Sequence, residues 1–262
     1  MKVLRHSKRC VRGLAATALA LSVLLWGRHA EASAINVQPL DLHLKATRTS
    51  DTIAVENRGS VTIRVQVTGF AWDEDPQGKE RLLPTHDLVF FPWLLTIEPG
   101  KKKSVRVGLQ NTAPTPTERT FRIFIEELPS LESQILPNTT GVILRTKFGI
   151  PVFLDPVKIS PKPDVSVKGI RNGVLTIAAL NSGNAHYMST GITVTGSDAR
   201  GTALFDRAEK GWYILANGER QYEFPLGRKE CSAVHDLTIV LSTTSGNVRQ
   251  TIPVSAASCP KD

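Results

Sequence analysis

GVILRTKFGIPVFLDP, residues 141–156, is the stretch on which the reading of the chain turns. An apolar, β-branched run, Val142-Ile143-Leu144, opens it. Two cations, Arg145 and Lys147, then alternate with Thr146 and Phe148, and Gly149 and Pro151 lead into Val152-Phe153-Leu154 before Asp155-Pro156 closes the stretch. The composition is that of a β-strand bounded by turn residues. Pro151 has no N–H to give a ladder, so the strand is expected at a sheet edge, or leaving its sheet at that point. An edge strand presents unpaired N–H and C=O groups that can template another chain. The stretch therefore reads as the last strand of one β domain, as the hinge into a second, and as a pairing surface.

Upstream of it the period is two throughout. Val37, Leu40, Leu42 and Leu44 alternate loosely with polar residues, and Ile53 and Val55 precede a turn at Asn57-Arg58-Gly59-Ser60. Val61, Ile63, Val65 and Val67 alternate with Thr62, Arg64, Gln66 and Thr68, the cleanest half-buried strand in the chain. Phe70 and Trp72 extend it to an acidic turn over 73–79. After Glu98-Pro99-Gly100, the basic run Lys101-Lys102-Lys103 reads as a solvated turn. Val105, Val107 and Leu109 then alternate, as do Phe121, Ile123 and Ile125 against Arg122, Phe124 and Glu126. No segment sustains a 3.6-residue period. Strands at this spacing with turns between them predict an immunoglobulin-like sandwich.

Downstream the theme repeats. Ser160-Pro161-Lys162-Pro163-Asp164 is a stiff linker end, and Asn172-Gly173 is a hairpin turn between two alternating runs. Further strands are expected around Ile192-Val194, Tyr213–Leu215, Tyr222-Phe224, Leu237–Leu241 and Ile252-Val254. The fold class is all-β: two immunoglobulin-like sandwiches, residues 33–155 and 156–262, after a signal peptide over 1–32.

That signal is read from five bases and no acid before Gly13, an apolar run to Trp26, and small residues from Ala30 to Ala34. The apolar run is too short to span a bilayer comfortably. The whole chain carries 32 bases and 24 acids. Cleavage after Ala32 removes six bases and one acid, leaving 26 against 23; a net charge of +3 is only mildly basic, a nucleic-acid partner would need a clustered basic face, and the one basic run is the turn at 101–103, so no nucleic acid is expected. Export implies an oxidising compartment, so Cys231 and Cys259 are expected to form a disulfide tying the final strand to an earlier one. His43, His86, His186 and His235 show no metal spacing, and no nucleophile motif accompanies them, so neither a cofactor nor an enzyme is expected. His186 reads as a structural residue of a turn.

Several stretches, in the right order, resemble the periplasmic chaperones of the chaperone–usher pathway, which assemble fimbriae and pili. They are Phe70-Ala71-Trp72; Ile97-Glu98-Pro99-Gly100 with Ser104-Val105-Arg106-Val107; FRIFIEELP over 121–129; 147–156; and Leu180-Asn181-Ser182-Gly183-Asn184-Ala185-His186. The resemblance implies a boomerang of two immunoglobulin-like domains in the periplasm. It also implies a last strand of domain one that is donated to a pilus subunit by β-augmentation, and an outer-membrane usher as second partner. By alternation Val142 and Leu144 are the donor side chains, with Ile143 in a register shifted by one, and Thr146 and Phe148 extending the strand. In the best-studied members an Arg on the first strand and a Lys on the last hold the subunit's C-terminal carboxylate. Here those positions carry Asp41 and Pro151 or a neighbour. The Ile-Pro-Val-Phe ending resembles the archaic and related branches instead, including systems that secrete spore-coat-U-like subunits. Lys147 and Arg145 then stand as candidate anchors, with Arg106 and Arg122 behind them. The competing reading is a structural or adhesive two-domain component of a surface fibre. Two complete strand sets speak against that, because a fibre subunit should lack a strand.

Overall fold

The computed structural model describes residues 35–129, 145–254 and 259. The expected signal peptide and the donor side chains Val142, Ile143 and Leu144 lie outside the described residues.

Two β-sandwiches follow one another. In the first, β1 (Ile35–Gln38), β3 (Ser50–Asn57), β8 (Lys102–Leu109) and β6 (Leu88–Phe91) form one sheet in the order β1-β3-β8-β6. The facing sheet runs β2 (Leu42–Leu44), β10 (Lys147–Leu154), β9 (Arg119–Glu127), β4 (Ile63–Glu74), β5 (Glu80–Leu83), with β7 (Leu94–Ile97) also on β4. Alternation decides which face each strand buries. Ile63, Val65 and Val67 of β4, Phe121, Ile123 and Ile125 of β9, and Ile150, Val152 and Leu154 of β10 all enter one core. Each such side chain contributes roughly 1.5–3 kcal/mol of burial. Val61 does not join them. It is 60% exposed, because the bend before β4 runs on through Val61 and the strand starts at Ile63.

The second sandwich places β11 (Pro163–Arg171), β12 (Val174–Asn181) and β16 (Glu219–Pro225) in one sheet. Its other sheet runs β14 (Ala203–Lys210), β13 (Tyr187–Ser197), β17 (Asp236–Thr243), β18 (Gly246–Pro253), with β15 (Tyr213–Ile214) on β13. Asn172 and Gly173 make the predicted hairpin, both with positive φ (50° and 76°), which the two-residue turn requires.

Both sandwiches use one device at a strand end. Asn57 closes β3 and its Oδ1 accepts the Gly59 N–H at 2.9 Å, while its Nδ2 donates to Val61 O and Ile97 O. Asn181 closes β12 and does the same with Gly183 N–H (3.0 Å) and the carbonyls of Ala185, Ile214 and Leu215. Both Asn residues are buried, and an Asn that satisfies its own turn and neighbouring carbonyls removes the cost of burying those backbone groups.

Two expectations change. Lys102 and Lys103 are strand residues of β8, paired with Glu56 and Val55 on β3, so only Lys101 belongs to the turn. The Cys231–Cys259 disulfide forms (S–S 2.11 Å), but it does not join two strands. Cys231 is buried on a short helix, α1 (Arg228–Ala233), and Cys259 lies beyond the end of β18. A six-residue helix is too short to show a period in sequence.

Candidate functional site

Strand β10 has a complete neighbour on one side only. Its register with β9 runs from Lys147↔Glu126 to Leu154↔Arg119. On the other side β2 pairs in parallel only with Val152, Phe153 and Leu154. Among the described residues, Lys147 to Pro151 is therefore an open edge. The Glu127 N–H donates to Thr146 O at 3.0 Å, which fixes the phase of the antiparallel ladder. Thr146, Phe148 and Ile150 turn their N–H and C=O toward β9. Lys147 and Gly149 turn theirs outward. Pro151 falls on an outward position, so its missing N–H costs β9 nothing, and the strand runs on to Leu154.

The side chains of this segment divide by parity. Phe148 is half-buried and packs on the first core, as do Ile150, Val152 and Leu154 behind it. Thr146 is half-buried and Arg145 exposed. Lys147 is exposed on the opposite face, ion-paired to Glu126 at 3.1 Å and 4.6 Å above the Phe124 ring. Phe153, of the same parity as Lys147, is fully buried but in neither sandwich core. It packs with Trp72 and Leu215 between the sandwiches, with Leu82 and Tyr213 beside them.

The joint is built around Phe153. The His186 ring stacks on it at 3.9 Å, and His43 lies 5.1 Å away. His186 Nδ1 meets Glu118 Oε2 at 2.8 Å, and His43 Nδ1 meets Asp155 Oδ1 at 2.9 Å. Asn184 accepts the Glu118 N–H on its backbone carbonyl and donates its Nδ2 to Pro116 O and Lys158 O. His186 is thus structural, as read, although its place is the joint and its partner comes from the other sandwich. On the other flank the β4–β5 hairpin reaches across. The Gln221 N–H donates to Pro76 O (2.7 Å), and Glu74 accepts from Trp212 Nε1 (3.1 Å) and Arg220 Nη1 (3.4 Å). Burial pushes the Glu74 carboxyl above its ordinary range, with Arg220 pulling the other way.

The four candidate cations are not brought together. Arg106 sits on β8 in the far sheet and donates to Ser50 Oγ. Arg145 and Lys147 stand exposed at the open end of β10. Only Arg122 enters the space beside the joint. It is 4% exposed, its guanidinium lies 4.0 Å above the Trp72 ring and 6.0 Å from that of Trp212, and it is ion-paired to Glu80. Desolvation lowers its affinity for a proton, partly offset by Glu74. In the register Arg122 faces Pro151, at the inner end of the open edge. Asp41 lies near enough to Tyr213 to add to the upward shift that burial gives its hydroxyl. No group of three or more metal-ligating side chains occurs among the described residues, and no helix among them is long and apolar enough to cross a membrane.

Comparison with known proteins follows the same lines. The family model of the pili and flagellar-assembly chaperone PapD N-terminal domain matches residues 34–160. A chain of the CsuC–CsuE chaperone–tip adhesion subunit pre-assembly complex from archaic chaperone-usher Csu pili of Acinetobacter baumannii superposes with a TM-score of 0.60 at 16% identity, over 88% of this chain and 100% of that one. The YadV chaperone does so with 0.57 at 12% identity, over 84% and 99%. A chain of the Salmonella enterica SafA pilin–SafB chaperone complex gives 0.53 at 12% identity, over 85% and 98%. At such identities the likeness is one of fold. No curated protein sequence matches significantly. Residues 34–160, the first sandwich, thus match the PapD N-terminal domain of pilus-assembly chaperones, and the fold of such chaperones is shared over both sandwiches.

Proposed function

We propose that the chain is a periplasmic chaperone of the chaperone–usher pathway. It binds pilus or related fibre subunits by donating the outer edge of β10 and passes them to an outer-membrane usher. The observation that carries this reading is the one-sided pairing of β10: partnered by β9 along its whole length, by β2 only from Val152. Main-chain hydrogen bonds from Lys147 and Gly149 would pair a subunit strand irrespective of its sequence. Val142 and Leu144, of the same parity as Thr146 and Phe148, are the side chains assigned to the subunit's groove, each worth up to about 1.5–3 kcal/mol. The export-type N-terminus supports the periplasm, and the proposed domain boundary at 155/156 is supported by the strand-free segment between β10 and β11.

For the subunit's terminal carboxylate the reading favours Arg122. It alone of the four candidates is desolvated, and a charge-assisted hydrogen bond there is worth roughly 1.5–3 kcal/mol. Lys147, by contrast, is exposed, where solvent screening leaves an ion pair worth little. The test is co-purification from periplasm with a co-expressed subunit. Wild type should give a soluble one-to-one complex, and Leu144→Glu should fold alone and lose the subunit. Lys147→Ala should keep it. Wild-type yield of complex from Leu144→Glu would refute strand donation.

A further inference from the structure

Arg122 is held in this chain by a single carboxylate, and by only half of its grip. Its Nη2 donates to Glu80 Oε1, whereas its Nε is buried with no partner among the described residues. Nε–H and Nη2–H lie along the same edge of the guanidinium, the fork that holds a carboxylate by two parallel bonds. One prong is filled and the other empty. The fork has little room to turn toward another acceptor, because the guanidinium is packed 4.0 Å over the Trp72 ring and its stem runs beside Gly149, where a Cβ would sit 3.8 Å from Arg122 Cδ. Glu80 opens the edge strand β5, and its side chain is 34% exposed where that of Arg122 is 4% exposed. The carboxylate therefore covers the cation from the solvent side.

We propose that Glu80 is a built-in stand-in for a ligand carboxylate. It occupies one prong while the chain is free. An incoming carboxylate takes both prongs, and Glu80 swings out to water. A buried guanidinium with no counter-charge is strongly unfavourable, so the stand-in keeps Arg122 desolvated and aimed before any ligand arrives. The exchange replaces one negative charge by another and leaves the balance around Glu74 and Arg220 as it was. It runs forward because two parallel bonds replace one. That the natural ligand is a subunit's C-terminus rests on the function proposed above; the exchange itself does not.

The experiment follows the Arg122 Nε–H signal by ¹⁵N NMR in the full chain, assigned by its loss in Arg122→Lys. Sodium acetate is titrated against sodium chloride at equal ionic strength, in wild type and in Glu80→Gln. Glu80→Gln should respond at acetate concentrations at least ten-fold lower than wild type, and acetamide should leave both unmoved. Glu80→Asp, whose shorter arm draws the carboxylate back, should fall between the two and serves if the Gln variant does not fold. An Nε–H signal that acetate moves equally in wild type and variants, or moves in none, overturns the proposal. A negative acetate result beside subunit loss in Leu144→Glu would remove the stand-in and keep strand donation. The reverse pattern would keep the carboxylate site and remove strand donation.

Discussion

Replacing Phe153 by alanine should uncouple the two sandwiches without disturbing either core. The ring is fully buried, yet its contacts are Trp72, Leu215, Tyr213 and the two histidines rather than members of the sandwich cores. Burying a phenylalanine is worth about 1.5–3 kcal/mol in transfer, and aromatic stacking of the kind made with His186 at 3.9 Å adds about 0.5–1.5 kcal/mol. With the void left behind, the whole loss comes to about 3–5 kcal/mol. Because that energy sits between the sandwiches, its removal should split one cooperative transition into two. Urea unfolding read by tryptophan fluorescence is the assay, since Trp72 and Trp212 both lie at the joint. The variant should show two midpoints, and Phe121→Ala, in the first core, should lower the midpoint of the first sandwich alone. A single transition displaced by less than about 1 kcal/mol would refute the claim that Phe153 is the keystone of the joint.

Three further outcomes are expected. Gly78→Ala should loosen the β4–β5 hairpin from β16, because Gly78 has φ +76° and a Cβ there would overlap the Arg220 guanidinium; a cost of about 1–3 kcal/mol and faster exchange of the Gln221 amide would register it. Glu74→Gln should flatten the pH dependence of the melting temperature. The folded carboxyl titrates above the ordinary 4.5, so the folded state binds more protons in the window just above that value and wild type loses stability there as pH rises; equal slopes in both proteins would count against it. Reducing Cys231–Cys259, which closes a separation of 28 residues, should cost the second sandwich about 2–4 kcal/mol and leave the first unchanged, as urea midpoints with and without reductant would show.

Local pattern revealed much of this fold. Ile63 to Val67 and Phe121 to Ile125 announce their buried faces by alternation alone, and Asn172-Gly173 announces its turn. Three elements left weaker marks. β6 is a short continuous apolar run, Leu88–Phe91, with no alternation to read. β14 is an edge strand whose Asp206, Arg207, Glu209 and Lys210 face water and look like a loop. α1 has too few residues for a period. The joint was the least legible part, since Trp72, Phe153, His186 and Leu215 meet only after both sandwiches have formed. The same holds for Arg122. In sequence it is one more strand cation opposite a hydrophobic face, and its burial depends on Trp72 from the adjacent strand and Glu80 from the next. The sign that could have been used is parity: Trp72, Arg122 and Phe153 all fall on the positions that alternation turns away from the first core.

Strand donation requires the outer edge of β10 to be open in the free chain and paired in the complex, which amide hydrogen exchange at single residues reads out. In the free chain Lys147 and Gly149 should exchange quickly, while Phe148 and Ile150, bonded to β9, exchange slowly. In a complex with a subunit the account predicts that Lys147 and Gly149 become protected as strongly as their neighbours. A stable complex in which those two amides still exchange at the free rate would show that the subunit pairs elsewhere.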